Sequence, residues 1–338
     1  MRRRSLLKLA ALPLGAPLAA PFIAAPFIAA PFIAAPFIAK AQAAWPNRPV
    51  KVIVPFAAGG GTDVTARPWC EMLSRSFGQQ FVVENRGGAS GLIGTEAALK
   101  SPADGYTLLV SSNTTTVNLP LLRAVPYDPK TLEPIARMGD AVTGFAVHPS
   151  VGVKTFAELL EYCKKHPGKL AFGSSGPGTG PHIRLEMLKY RTGVDILHVP
   201  YRAGGDSLTD LLANHVQLMN EPVTTAHVKA GKLILLNINH FERSVDFPAI
   251  PTLTELGYPN SDAAIWISLW CAAGTPPEIK QRLNAEIVKQ SQLPEMRERL
   301  RLAGAAPVVQ TIAEIEAFRA NESKQMAELF KLANIKLE

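Results

Sequence analysis

From Trp45 onward, apolar strand-like runs alternate with helix-like segments, and this alternation constrains the fold more than any other feature of the chain. Residues 50–56 read as a buried strand, 64–77 as a helix, 81–86 as a second strand, 91–99 as a short helix and 106–112 as a third strand. That βαβ rhythm predicts a parallel sheet with helices on its faces. It restarts at 144–149, followed by a helix over 155–165 capped by Thr155, strands at 170–175 and 195–201, and a helix near 181–192 between them. The apolar strand in "AIWISLWCAAG" and two helices, one beginning at Pro277 and one in "IAEIEAFRANESKQMAELFKLA", complete the pattern. A chain of 338 residues is too long for one ordinary core. The expectation is an α/β protein of two lobes, with 44–145 and 266–338 in lobe 1 and 146–265 in lobe 2. Two crossings of this kind let a cleft close by hinge motion.

The formal charge of +7 suggests nucleic acid only until its position is considered. Arg2, Arg3, Arg4, Lys8 and Lys40 all precede residue 44, and removing them leaves 30 basic against 28 acidic residues. A near-neutral body argues against a nucleic-acid partner. The N-terminus instead has the order of an export signal: a basic start, an apolar stretch, and small residues at Ala39–Ala43 that suit a signal peptidase. "RRSLLK" within it resembles the twin-arginine export pattern. The "PFIAA" repeat places a proline every fifth residue, which interrupts any helix. An uncleaved anchor is the competing reading, since the stretch is long enough to span a bilayer. We expect cleavage of residues 1–43 and a periplasmic product. Cys70, Cys163 and Cys271 have the spacing of neither a metal site nor a disulfide framework, and read as small buried apolar residues.

Three glycine-rich loops follow predicted strands: "PFAAGGGTD" from Pro55, "GSSGPGTGPH" from Gly173 and "PYRAGGDS" from Pro200. In open α/β sheets ligands sit beyond the C-terminal ends of strands, where the next helices present free N–H groups. Such groups favour an anion. A P-loop would need a lysine after Gly61, but Thr62 and Asp63 stand there, and the dinucleotide glycine spacing is missing. "GSSGP" approaches a nucleophile elbow at Ser175, with Pro177 where the second glycine belongs. No metal-ligand or paired-carboxylate spacing occurs, and His182 and His198 read as structural hydrogen-bonders. We therefore expect no catalytic set, no metal and no cofactor. Pro68 should delay or kink the first helix.

The order and spacing of "WPNRPVKVIVPFAAGGGTDVTAR", "VVENRGGASGLIGTEA", "PADGYTLLVSS", "HPGKLAFGSSGPGTGPH", "HVPYRAGGDSLTDLLANHVQLM" and "DFPAIPTLTELG" resemble the Bug family. These are periplasmic solute-binding proteins of tripartite tricarboxylate transport systems. The resemblance implies a two-lobed type II periplasmic binding protein fold whose cleft encloses a small organic carboxylate. It places the carboxylate between two facing loops: Phe56, Ala57, Ala58, Gly59, Gly61, Thr62 and Asp63 on one side, Ser174, Ser175, Gly176 and Thr179 on the other. Thr62, Ser174, Ser175 and Thr179 would supply hydroxyl donors, and Asp63 would orient a water or accept from the ligand. Tyr201 with Ala203, Gly204 and Gly205 would form the second-lobe wall, and Ser112 and Asn113 the cleft mouth. Asn220 and Glu221 depart from the family's aromatic–aspartate pair, and with Asn239 and His240 would make the pocket more polar. The implied partners are membrane permease subunits or a sensor protein, and the receptor itself is expected to be a monomer. An exported serine hydrolase using Ser175, or a ligand-sensing partner of a membrane receptor, are the alternatives.

Overall fold

The computed structural model describes residues 45–259, 265–335 and 337. The expected export segment and part of the second crossing lie outside them. The chain opens with β1 (Val50–Val54), α1 (Gly61–Phe77), β2 (Phe81–Asn85), α2 (Leu92–Leu99) and β3 (Thr107–Ser112). A π-turn over Thr114–Asn118 leads into α3 (Leu119–Leu122) and the long β4 (Leu132–Ala141). The second set comprises β5 (Ala146–Val147), α4 (Phe156–Lys165), β6 (Ala171–Ser174), α5 (Gly180–Thr192), β7 (Leu197–Pro200), α6 (Gly204–Leu212), β8 (Leu218–Met219), α7 (Thr225–Lys229) and β9 (Ile234–Leu235). The chain then returns through β10 (Ile265–Ala272), α8 (Pro277–Ser291), α9 (Pro294–Leu302), β11 (Ala305–Ala306) and α10 (Ile312–Leu332).

Two sheets result, in the orders β11–β4–β10–β3–β1–β2 and β7–β6–β8–β5–β9. The first is parallel only across β2, β1 and β3; β10 runs antiparallel to both β3 and β4. The parallel pairing expected from the βαβ rhythm holds across β2, β1 and β3, while β10 re-enters the first sheet from the second and so runs against its neighbours. β1 shows why the first sheet is covered on both faces. Val52 and Val54 pack with Trp69 and Leu73 of α1 and Leu283 of α8, while Ile53 points to the opposite side with Leu109, Trp266 and Phe330. That is the period-two alternation of a strand buried on both sides. The second sheet has its own core around Phe145, Phe156, Leu159, Phe172 and Leu218. Cys70, Cys163 and Cys271 are all free and buried.

Three features depart from the sequence expectations. The first helix begins at Gly61 rather than Val64 and passes through Pro68, which neither delays its start nor breaks it. β4, the longest strand among the described residues, carries Pro134, Arg137 and Asp140, so it lacked the apolar run by which the others were recognised. α9 was likewise unexpected; it is a short, charge-rich helix that exposes most of its surface. The two sheet-bearing halves are in close contact. A methyl built on Gly180 would lie 2.4 Å from Ile265 Cγ1, and one on Gly61 would lie 3.1 Å from Pro222 Cδ.

Candidate ligand-binding site

Three helices begin at one cavity between the sheets. Gly60, Gly61 and Thr62 bring the start of α1 to its wall, Thr179, Gly180 and Pro181 the start of α5, and Ala203 and Gly204 the start of α6. None of the three N-cap residues, Gly60, Thr179 or Ala203, has a side chain hydrogen-bonded to its helix. By contrast Thr155 caps α4 and Thr311 forms a capping box on α10, and neither lines the cavity. First-turn N–H groups have no partner within their helix, so uncapped termini aimed at one space are donors for an anion. The remaining wall comes from Phe56, Ala57, Ser112, Thr114, Ala141, Ile265 and Ile267 on one side and Ser175, Glu221 and Pro222 on the other. The cavity volume is about 50 Å³, well below the ~300–1,000 Å³ typical of ligand pockets. The two halves therefore leave little room between them here, as the close approaches of Gly180 to Ile265 and Gly61 to Pro222 also indicate.

The first loop is held by Asp63. Its carboxylate is 1% exposed and accepts the Gly59 N–H at 2.8 Å, the Arg67 guanidinium at 2.8 and 2.9 Å, and Asn85 Nδ2 at 2.9 Å. Burial pulls its pKa up, but the bonds from Arg67, Gly59 and Asn85 outweigh this and hold it below the usual value. Asn85 also donates to Phe56 O, so the end of β2 fixes both ends of the loop. Asp63 therefore does not face the cavity as a ligand acceptor. It fixes Gly59, and with it the path by which Gly60 and Gly61 reach the cavity wall.

The second loop is shaped by its own hydroxyls. Ser174 Oγ accepts the Gly176 N–H at 3.1 Å and lies 2.7 Å from His198 Nε2, and the Thr179 hydroxyl donates to Gly176 O at 2.6 Å. Gly176 and Gly178 take φ of +119° and +75°, conformations that side chains disfavour. The Gly178 N–H donates to His182 Nδ1 at 3.1 Å, and His182 stacks on His198 at 4.2 Å. Burial pushes both imidazoles down to about 4, which leaves them neutral and able to accept. Ser174 and Thr179 thus spend their hydroxyls on the loop itself; Ser175 turns to the cavity.

Of the other residues expected at the site, Ser112, Ala203, Gly204 and Glu221 line the cavity, whereas Ala58, Gly59, Gly176 and Gly205 do not. Tyr201 hydrogen-bonds Asp210 at 2.7 Å, and Asn113 donates to Glu322 at 2.9 Å. Asn220 accepts from Thr143 and Arg184 and donates to Asn239, a buried polar network behind the wall. His240 lines a separate surface hollow with Arg243 and Arg301. Sequence reasoning missed Ala141, Ile265 and Ile267, since apolar residues within strands carry no chemical signal. It also missed Gly60 and Gly180, although both belong to the glycine-rich stretches already singled out. Among the described residues, no group of three His, Cys, Asp or Glu side chains is placed to hold a metal ion.

Two α/β lobes joined by two crossings, with uncapped helix termini converging on the space between them, define a periplasmic binding protein fold. The comparisons name its family. The family model for the tripartite tricarboxylate transporter family receptor matches residues 65–335, and the chain belongs to that family. Protein BugT of Bordetella pertussis is 38% identical over 301 residues, covering 87% of this chain and 92% of that protein. The periplasmic binding protein BugD has a structure similar to this one with a TM-score of 0.81 at 32% identity, over 87% of this chain and all of that one. Rpa4515 of R. palustris, solved with adipate, has a TM-score of 0.83 at 31% identity, over 86% of this chain and 99% of that one. The family resemblance and the two-lobed fold expected from sequence are thus borne out. The chain is a solute-binding protein and not an enzyme. Consistent with this, His198 engages Ser174 rather than the Ser175 of the hydrolase alternative.

Proposed function

We propose that this protein captures a small organic carboxylate in the periplasm and, with its lobes closed, presents it to the permease subunits of a tripartite tricarboxylate transporter. The observation that carries this reading is the convergence of three uncapped helix N-termini on one cavity. The adipate held by Rpa4515 supports the ligand class. In this reading lobe 1 comprises 44–145 and 266–338 and lobe 2 comprises 146–265. The residues that receive the ligand are Phe56, Ala57, Gly61, Thr62, Ser112, Ser175, Thr179, Ala203, Gly204 and Glu221, with Gly60 and Gly180 added. Residues 1–43 are removed on export, and no helix among the described residues is long and apolar enough to cross a membrane.

Charge-assisted hydrogen bonds contribute about 1.5–3 kcal/mol each, so a few of them reach the ~8 kcal/mol of micromolar binding. The test is the melting temperature of the processed protein, stripped of ligand by unfolding and refolding, against a panel of organic carboxylates. A ligand at about 100 times its Kd adds ~2.7 kcal/mol, a rise of several degrees. A folded protein that no carboxylate stabilises would rule the reading out.

A further inference from the structure

The cavity already contains a carboxylate, and it belongs to the chain. Glu221 follows β8, is 4% exposed and lines the cavity. Its Oε1 accepts the Ser175 N–H at 2.9 Å. A methyl group built on Gly204 would stand 2.0 Å from its Oε2. The second oxygen is thus packed onto the first residue of α6, where any side chain would exclude it. These backbone groups, Ser175 N–H and the start of α6, are the ones a ligand's second carboxylate would otherwise use in this lobe.

We propose that Glu221 is a specificity-determining residue. It reserves the α6 end of the cavity for a hydrogen-bond donor, so the chain selects a monocarboxylate bearing an amine, amide or hydroxyl at its far end over the matching dicarboxylate. The inference rests on reading the cavity as a carboxylate site. The ligand's single carboxylate is received at the starts of α1 and α5, and its far end meets Glu221. A second ligand carboxylate brought to the same place would compete with Glu221 for the Ser175 N–H and set two like charges together where the Glu221 side chain is already buried. A donor meets the opposite situation, because each oxygen of Glu221 has lone pairs to spare. The burial that pushes the Glu221 pKa up to about 7, against the hydrogen bonds from Ser175 and the charge of Arg184, signals how poorly this end tolerates negative charge.

The experiment is calorimetric titration at about pH 8.5, where Glu221 is ionised despite its raised pKa, of the stripped protein with matched sets: succinate, glutarate and adipate, their monoamides, and the corresponding ω-amino and ω-hydroxy acids. The expected result is that the best donor-bearing acid binds about tenfold or more tightly than its matched diacid. Glu221→Gln, whose amide can donate to a ligand carboxylate, should shrink or invert that ratio while leaving the circular dichroism spectrum unchanged. A wild-type protein that takes the diacid as tightly as its monoamide and amino acid overturns the proposal, whether or not the variant folds. So does a preference for donors that survives in a folded Glu221→Gln. Loss of binding to every acid in the series by a folded wild-type protein is a different outcome, and overturns the carboxylate reading beneath it as well.

Discussion

Asp63 shows how one buried carboxylate can shape a cavity wall that it does not itself line. Its oxygens are taken by Gly59, Arg67 and Asn85, and the half-exposed Arg67 is screened by water and adds little. The bonds to Gly59 and Asn85 set the path of the glycine loop. Asp63→Asn keeps the shape but turns an amide toward donors. Thermal or denaturant unfolding should register a loss of about 1–3 kcal/mol, with carboxylate affinity falling ~tenfold or more as the loop loosens. The pH dependence has a definite sign. The folded pKa of Asp63 lies below its unfolded value of 3.8. Its contribution to stability is therefore present above that value and lost as pH falls through the folded one. In Asp63→Asn that part of the acid transition should vanish. Sequence placed Asp63 at the site through its family motif. It did not give the carboxylate's direction, because the partner Asn85 lies on β2, outside the helix that carries Asp63, and no local spacing encodes that meeting.

At the scale of elements, most strands and helices were legible because each carried a period. β1, β3 and β10 are apolar runs, and α4 has its capping threonine and amphipathic face. β4 was not legible, since the residues that define it answer to tertiary partners. Arg137 and Asp140 are buried and pair with each other at 2.6 Å, so charge enters a strand that would otherwise have read as apolar. The segment between β4 and β5 was recognised as a crossing but not how tight it is. A methyl on Gly144 would fall 1.6 Å from the main-chain oxygen of Asn237. Asn237 Oδ1 in turn accepts the Phe145 N–H, and the Leu236 N–H donates to Phe145 O. No side-chain rotation relieves a clash with backbone. Gly144→Ala should therefore cost about 3 kcal/mol or more, seen as a lower denaturant midpoint in the second lobe by site-specific fluorescence.

The whole molecule is tied together by its last helix. Glu322 on α10 accepts from Asn113, beyond β3, at 2.9 Å, and from the indole N–H of Trp266 on β10. Burial and Asp140 push its pKa up to about 7 against those bonds and Arg137. A carboxyl with a raised folded pKa contributes stability that is complete below its unfolded value and is lost as pH rises through the folded one. Between about pH 5 and 8 the protein should lose stability, in part through Glu322 and in part through Glu221, which shifts the same way. Glu322→Gln should carry a constant penalty for one unsatisfied donor. It should also remove up to about 3 kcal/mol of that pH-dependent fall, so unfolding curves of variant and wild type should converge or cross as pH increases.

Ala141 ends β4 and Ile265 begins β10; the two are paired across the sheet, and both face the cavity. In the binding reading proposed above, a ligand would rest on the residues at which the chain leaves the first sheet and returns to it. In a jaw hinged this way the rim sweeps widely while the floor barely moves, so a captured molecule presses directly on the pivot. Its bulk there sets how far the rim can travel, much as a pebble near a door's hinge stops the door with the smallest obstruction. On that reading, the identity of what is held would be written into the angle of the mouth, the surface a membrane partner would meet.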